Sequence, residues 1–292
     1  MNVDQYLVFY RSYLESIGKS PHTIKQYCID TEQFLSFMLK NEHTFDTPIK
    51  EIVAAYNQQL EENYSSPASI NRKKASLKHF LHFLQMRNVI AEIPVHLLTP
   101  LKQQKEKLKY YTKQQIEQIL NYWFELIETA LIPEHRWLAL RNFCIVNIMA
   151  ELGTKPSEVT RMKWTHLKQQ EITILQRKRI RTLCLSDSMI DWLEIYKNET
   201  KSLLPSSENA AYMWLGLGNK QNEPITVKTI ERIYKTISNQ VGFKVTPTSM
   251  RYTLMNSEVK THQDEQLKDL YLRYGYARKS VLVDRVNRFK EN

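Results

Sequence analysis

The sequence predicts a mainly α-helical protein of two domains with one small β hairpin. Three observations carry this reading. A chain of 292 residues is longer than one modest domain needs. Only 6 glycines and 10 prolines punctuate it, too few for a turn-dense β protein or a disordered chain. Apolar residues recur at helical spacing almost throughout and alternate clearly in a single stretch.

From the N-terminus, Tyr6, Phe9, Tyr13 and Leu14 mark a helix to about residue 17, stopped by Gly18. Ser20 as N-cap and Pro21 at the first helical position open a second, with Ile24, Tyr27, Phe34, Phe37 and Met38 turned inward. A third is expected over about 49–64 and a fourth over 67–86, burying Ile70, Leu77, Phe80, Leu81 and Leu84. Four helices with short loops make a bundle over residues 1–100. Residues 101–111, LKQQKEKLKYY, carry four lysines and one glutamate without apolar period and read as a basic linker lacking core contacts.

The second domain, 112–292, opens on a capping box of Thr112 and Gln115 and continues into an apolar helix over about 137–152. In EITILQRKRIRTLCLS, Ile172 and Ile174 alternate, a basic turn follows, and Ile180, Thr182 and Cys184 or their neighbours return. Further helices are expected over about 189–197, 227–241, 247–259, 263–274 and 279–289.

Lys+Arg 41 against Asp+Glu 31 gives a charge of +10, which suggests a polyanionic partner only weakly until its distribution is considered. Residues 1–100 hold ten basic and ten acidic side chains, yet Asn71, Arg72, Lys74 and Lys78 fall on one side of the fourth helix. For a lone helix such a stripe reads first as a solvated face. Phosphate contact is the functional alternative, with Ser20, Thr23 and Lys25 at a helix N-terminus as further candidates. Between residues 155 and 185 lie Lys155, Arg161, Lys163, Lys168, Arg177, Lys178, Arg179 and Arg181 against Glu158 and Glu171. Four of these sit at the hairpin turn, where packing does not require them and mutual repulsion opposes them, so binding to a polyanion is the favoured reading. Arg278, Lys279, Arg285, Arg288 and Lys290 are explained equally well by a solvated last helix. Two basic surfaces joined by a basic linker suggest a clamp on double-stranded DNA.

No run approaches the roughly 20 apolar residues of a membrane span, and the start lacks signal-peptide character, so a soluble, cytoplasmic protein without membrane contact is expected. Cys28, Cys144 and Cys184 have no paired spacing; all three read as packing residues, and neither a metal nor a cofactor is expected.

Several segments resemble the tyrosine recombinases, also called phage integrases, and the resemblance spans nearly the whole chain. KSPHTIKQYCIDTEQFLSFM and SSPASINRKKASLKHFLHFL resemble helices of that family's N-terminal core-binding domain. ELGTKPSEVTRMKW resembles its first catalytic box through Gly153, Ser157, Glu158, Val159 and Trp164, and VTPTSMRYTLMNS resembles its second through Thr246, Pro247, Arg251 and Thr253. The resemblance implies a C-terminal catalytic-type α+β domain in which two arginines hold the scissile phosphate, a histidine moves protons, a hairpin lysine assists, and a tyrosine on the last helix attacks.

Here Lys155 stands at the first arginine, a point charge without the planar fork. Thr248 stands at the histidine, which removes proton exchange near neutral pH. Arg251 matches the second arginine, Tyr276 a second histidine and Arg285 the nucleophile; no tyrosine follows Tyr276. An ungapped match puts Gln176 at the hairpin lysine, and a shift of one or two residues would supply Lys178. Lys155 as a helix cap and Arg251 as a structural residue are the bland alternatives. These departures lead to the expectation of a duplex-binding pseudo-recombinase without enzymatic activity, acting as a repressor in a phage or mobile element. The alternative is an active site-specific recombinase with an atypical pocket. The apolar strip of Val281, Leu282, Val286 and Phe289 suggests a terminal helix that docks on a second copy of the chain.

Overall fold

The computed structural model describes residues 3–103, 107–176, 179–261 and 270–290. The chain divides into two compact units, Met1–Lys105 and Glu106–Asn292.

The first unit is built from α1 (Val3–Ser16), α2 (Pro21–Lys40), α3 (Ile49–Asn63) and α4 (Pro67–Met86), closed by a 3-10 turn at Val95–Leu98. Local chemistry sets the boundaries. Ser20 Oγ accepts the Thr23 amide at 2.9 Å and Pro21 follows it, while Pro67 opens α4. Tyr10, Leu14, Phe34, Ile52, Phe80, Leu81 and Leu84 fill the core.

Charged side chains lie inside this bundle, Asp30, Lys73 and Lys74 among them. Asp30 on α2 is buried and accepts from Arg72 and, at 3.2 Å, from Lys73 on α4. Lys74 is also buried, at 5% exposure, because it shares the inward side of α4 with Ile70 and Leu77. The expected cationic stripe is therefore corrected: Lys74 faces inward, and Asn71 Nδ2 and Oδ1 bond the carbonyl and amide of Leu101 at 2.9 and 2.7 Å.

The second unit comprises α5 (Lys113–Thr129), α6 (Pro133–Leu152), the single turn α7 (Pro156–Val159), β1 (Leu167–Lys168), β2 (Glu171–Gln176), β3 (Arg179–Cys184), α8 (Asp187–Leu203), α9 (Val227–Val241), α10 (Pro247–Thr261) and α11 (Lys279–Lys290). Residues 270–273 are helical, and 263–269 of that expected helix lie outside the described residues. The sheet is antiparallel in the order β1-β2-β3, with Ile172 opposite Leu183, Ile174 opposite Arg181 and Gln176 opposite Arg179. The capping box at Thr112 and Gln115 is present. Its core is an aromatic-rich cluster around the buried α6, including Trp137, Ile145, Met149, Tyr196, Trp214 and Tyr234.

The mainly helical fold with a small sheet is as expected, and several details are corrected. The returning strand turns its neighbours inward: Leu183 is buried while Ile180, Thr182 and Cys184 are exposed, so Cys184 is not a packing residue. Residues 101–111 do make core contacts. Leu101 packs on the first core, and Leu108 and Tyr111 are buried in the second unit. Tyr111 also pins the start of α10: its hydroxyl accepts the Thr246 amide at 2.8 Å and its own amide donates to Thr253 Oγ1 at 2.8 Å. Finally, Leu282, Val286 and Phe289 of α11 are buried against Leu108, Met255, Leu270 and Tyr274 of the same chain, so that face is covered in cis.

Candidate active site

The site begins where α6 ends. Gly153 takes the left-handed conformation (φ +59°), and a Cβ there would come within 2.8 Å of Tyr274 Cε1, so the turn needs glycine both for its backbone and for its neighbour. The chain then enters α7 through Lys155, whose amide donates to Glu158 Oε2 at 2.8 Å. Lys155 is thus a boundary residue of α7, in line with its role as a helix cap, and this bond uses its backbone rather than its ammonium.

Glu158 is buried and organises the cations around it. Arg181 on β3 binds it through both forks, Nη1 to Oε1 at 3.0 Å and Nη2 to Oε2 at 2.9 Å, and Lys155 Nζ stands 4.0 Å from Oε1. Burial alone would raise the Glu158 pKa, but the Arg181 bonds and charge, with the Lys155 amide and ammonium, hold it below the usual carboxylate value. Burial lowers the Lys155 pKa; Arg251 and Arg181 push the same way, against Glu158.

Arg251 on α10 is buried, with Nη1 donating to Gly153 O and Nη2 to Tyr274 O. Its guanidinium carbon lies 4.9 Å from the Tyr274 ring centre and 5.1 Å from that of Tyr276. The two tyrosines differ. Tyr274 is buried and its hydroxyl donates to Glu258 at 2.5 Å; burial and then the Glu258 charge raise its pKa. Tyr276 is half-buried, and its hydroxyl makes no hydrogen bond to a described residue.

The hairpin closes the pocket. The Gln176 amide nitrogen donates to Gly275 O at 3.1 Å, and its oxygen accepts from Lys155 Nζ at 3.0 Å. Arg179 donates to Tyr276 O at 2.5 Å and to Ala277 O at 3.1 Å.

The fold thus brings together Lys155, Arg179, Arg181, Arg251 and Tyr276, with Glu158 and Gln176, the residue that an ungapped match sets at the hairpin lysine. Arg177 and Lys178 lie outside the described residues. Thr248 is exposed near the start of α10. Arg285 lies against Asp284 at 3.4 Å and over the Tyr252 ring at 5.7 Å, and Lys279 lies over Tyr271 at 5.5 Å. In the first unit, Ser20 and Thr23 bond one another at the cap of α2, Lys25 is exposed and Lys78 half-buried.

A second basic cavity went unnoticed in the sequence. It has a volume of about 680 Å³ at the N-terminus of α9, and its lining includes Arg141, Lys220, Lys228 and Arg232 but no carboxylate. Arg141 is buried and bonds Leu215 O at 2.8 Å and Asn142 Oδ1 at 3.0 Å, without an acidic partner among the described residues. The available signal was the spacing of Lys228 and Arg232, four apart at a helix start.

A helical bundle unit is followed by a helical unit in which a small antiparallel sheet lies beside clustered cations and a tyrosine, and together they define a two-domain protein with a cationic cluster in its second unit. The chain belongs to the phage integrase family: the family model described as "Phage integrase family" matches residues 109–263, and "Phage integrase, N-terminal SAM-like domain" matches 7–88. A tyrosine recombinase XerC from Chlamydia pneumoniae is 22% identical over 291 residues, covering 91% of this chain and 88% of that one. A tyrosine recombinase from Agathobacter rectalis is 25% identical over 260 residues, covering 83% and 78%. Among solved structures, XerH site-specific recombinase bound to palindromic difH substrate is similar with a TM-score of 0.71 at 15% identity, covering 96% of this chain and 82% of that one. A lambda integrase dimer bound to a COC′ core site gives 0.66 at 16%, covering 96% and 97%. These structural likenesses show the fold.

The expectation that the chain is not an enzyme is overturned by the same comparisons. Relatives that match 91% of its length are tyrosine recombinases, and departures from a motif at Lys155, Thr248 and Arg285 do not outweigh that kinship. Among the described residues no helix is long and apolar enough to cross a membrane.

Proposed function

We propose that this protein is a site-specific tyrosine recombinase of duplex DNA with an atypical phosphate pocket. The observation that carries the reading is the convergence of Lys155, from the turn after α6, with Arg251 from α10, which lies over the ring of Tyr276, a tyrosine whose hydroxyl bonds to no described residue. Two cations from separate elements suit a phosphodiester, whose charge grows on the non-bridging oxygens as an attacking oxygen approaches. Tyr276 supplies that oxygen: it bonds to phosphorus as the bond to one sugar oxygen breaks, and its proton passes to the departing oxygen. Lys25 and Lys78 on the first unit and Lys228 and Arg232 on the second provide sequence-independent contacts along the backbone.

The test is a duplex carrying the target site, found by a genome-wide binding map, with a nick placed to trap the covalent intermediate. A detergent-resistant protein–DNA adduct is expected, and it is lost in Tyr276→Phe. Absence of any adduct with the unmodified protein would refute the recombinase reading. A second reading, control of transcription in a phage or other mobile element, is favoured by the cations outside the pocket, which hold a duplex whatever the pocket does. Binding peaks spread over promoters would support it, and a single attachment site would oppose it.

A further inference from the structure

Four consecutive backbone carbonyls, Tyr274 to Ala277, are occupied by donors from the pocket. Arg251 Nη2 takes Tyr274 O, the Gln176 amide takes Gly275 O at 3.1 Å, and Arg179 takes Tyr276 O at 2.5 Å and Ala277 O at 3.1 Å. Two of these donors, Arg179 and Arg251, are the arginines that the sequence assigns to DNA. A row of carbonyl oxygens and a phosphodiester make the same demand, negative oxygens facing N–H groups, and the N–H groups aimed at these carbonyls, one on Arg251 and two of the five on Arg179, are not open to a phosphate at the same time.

We infer that residues 274–277 form a clasp that occupies part of the phosphate-binding donors of the free protein, and that a DNA phosphate engages those N–H groups by displacing it. This inference rests on the duplex-binding part of the reading above and deepens it, since displacement of the clasp also moves Tyr276.

The geometry around Gly275 supports a designed fit. Its φ is +61°, and a Cβ there would come within 2.6 Å of the Gln176 amide and 2.8 Å of Arg181 Nη1. The left-handed backbone favours glycine here, and a side chain would push the ends of Gln176 and Arg181 aside. Gln176 is the neutral member: it holds Lys155 Nζ with one end and Gly275 O with the other, so it ties the pocket cation to the clasp without adding charge.

The consequence is unusual. Loosening the clasp removes hydrogen bonds from the free protein yet frees donors for DNA, so affinity should rise. Gly275→Ala and, separately, Gln176→Ala are compared with the unmodified protein by fluorescence anisotropy on a mixed-sequence 30-base-pair duplex, with thermal melting as a check on folding. Each internal hydrogen bond contributes modestly, so tightening of about two- to tenfold is expected. Amide hydrogen exchange at Gly275 and Tyr276, whose N–H groups bond Leu272 O and Tyr271 O, should accelerate when duplex is added to the unmodified protein.

Gln176→Ala strains no backbone and keeps the test valid if Gly275→Ala unfolds. Equal or weaker binding by a folded variant, with exchange at 275–276 unchanged by duplex, overturns the clasp while leaving duplex binding intact. If neither the unmodified protein nor the variants bind any duplex, both the clasp and the reading it rests on fail. Binding by the variants alone supports the clasp.

Discussion

Glu158→Gln isolates the carboxylate that gathers the pocket. The substitution keeps shape and removes charge, leaving Arg181, whose side chain is only 10% exposed, without its counter-ion, and Lys155 without its neighbour at 4.0 Å. Removing one partner of a buried ion pair costs about 3–5 kcal/mol, because the remaining charge stays desolvated. For a unit the size of Glu106–Asn292, each kcal/mol moves the melting temperature by about 2–4 °C, so a fall of roughly 6–20 °C is expected.

The pH dependence gives a second readout. The Glu158 pKa is depressed in the folded state, so its stabilisation is complete above the unfolded value of about 4.3 and is lost as pH falls through the folded value. The difference between the two proteins should therefore be full near neutrality and shrink in acid. Calorimetric melts from pH 3 to 7 measure both. A loss below about 1 kcal/mol, or a gap that stays constant with pH, would refute the assignment. Adding Arg181→Met to the Glu158→Gln background should recover part of the loss, because the stranded charge is then gone.

Four further outcomes follow from the same structure. Asp30→Asn strands the buried Lys73 ammonium and should lower the melting transition of the first unit by a few kcal/mol; an unchanged transition would show that Lys73 reaches water. Lys228→Ala with Arg232→Ala should flatten the plot of log affinity against log salt by about 0.9 for each phosphate no longer neutralised; an unchanged slope would remove the α9 cavity from the interface. Truncation after Arg278 uncovers Leu108, Met255 and Tyr274 and should destabilise the unit by about 1.5–3 kcal/mol for each of Leu282, Val286 and Phe289, with no change of mass by light scattering; a changed mass with an unchanged melt would restore docking on a second copy. Because the Lys155 pKa is lowered, duplex affinity should fall at lower alkaline pH in the unmodified protein than in Lys155→Arg, as binding titrations at pH 7 to 10 would show.

What the sequence revealed was set by short-range chemistry. Ser20 with Pro21, Pro67, and Thr112 with Gln115 are local signals, and the helices they open begin where they say. What it hid was set by distance. Arg72 reads as a solvent-facing charge until α2 brings Asp30 to it across 42 residues, and Arg181 reads as a DNA contact until Glu158 comes to it across 23. β1 is two residues long, so no alternation can announce it, and the segment from Tyr212 to Pro224 pairs only through isolated bridges. The carbonyls of 274–277 are invisible to sequence reasoning, because backbone acceptors carry no residue identity.

These long-range partnerships divide the cations into two sets with different physics. Lys25, Lys78, Lys228 and Arg232 make no ion pair or hydrogen bond through their charged ends to a described residue, so under the proposed function they would act on a duplex through released counter-ions. Arg179 and Arg251 already donate to backbone carbonyls, and Arg181 already donates to Glu158; where DNA takes the N–H groups so engaged it replaces an existing acceptor, and the gain is a difference between two bonds. The first set should govern how fast the protein reaches a duplex and how steeply salt opposes it. The second should govern a slower step, independent of salt to first order, in which the pocket changes partners. Stopped-flow anisotropy at several salt concentrations would separate the two: a fast phase whose rate falls with salt and a slow phase whose rate does not. A single phase scaling with salt throughout would mean that the pocket arginines behave as ordinary surface charges.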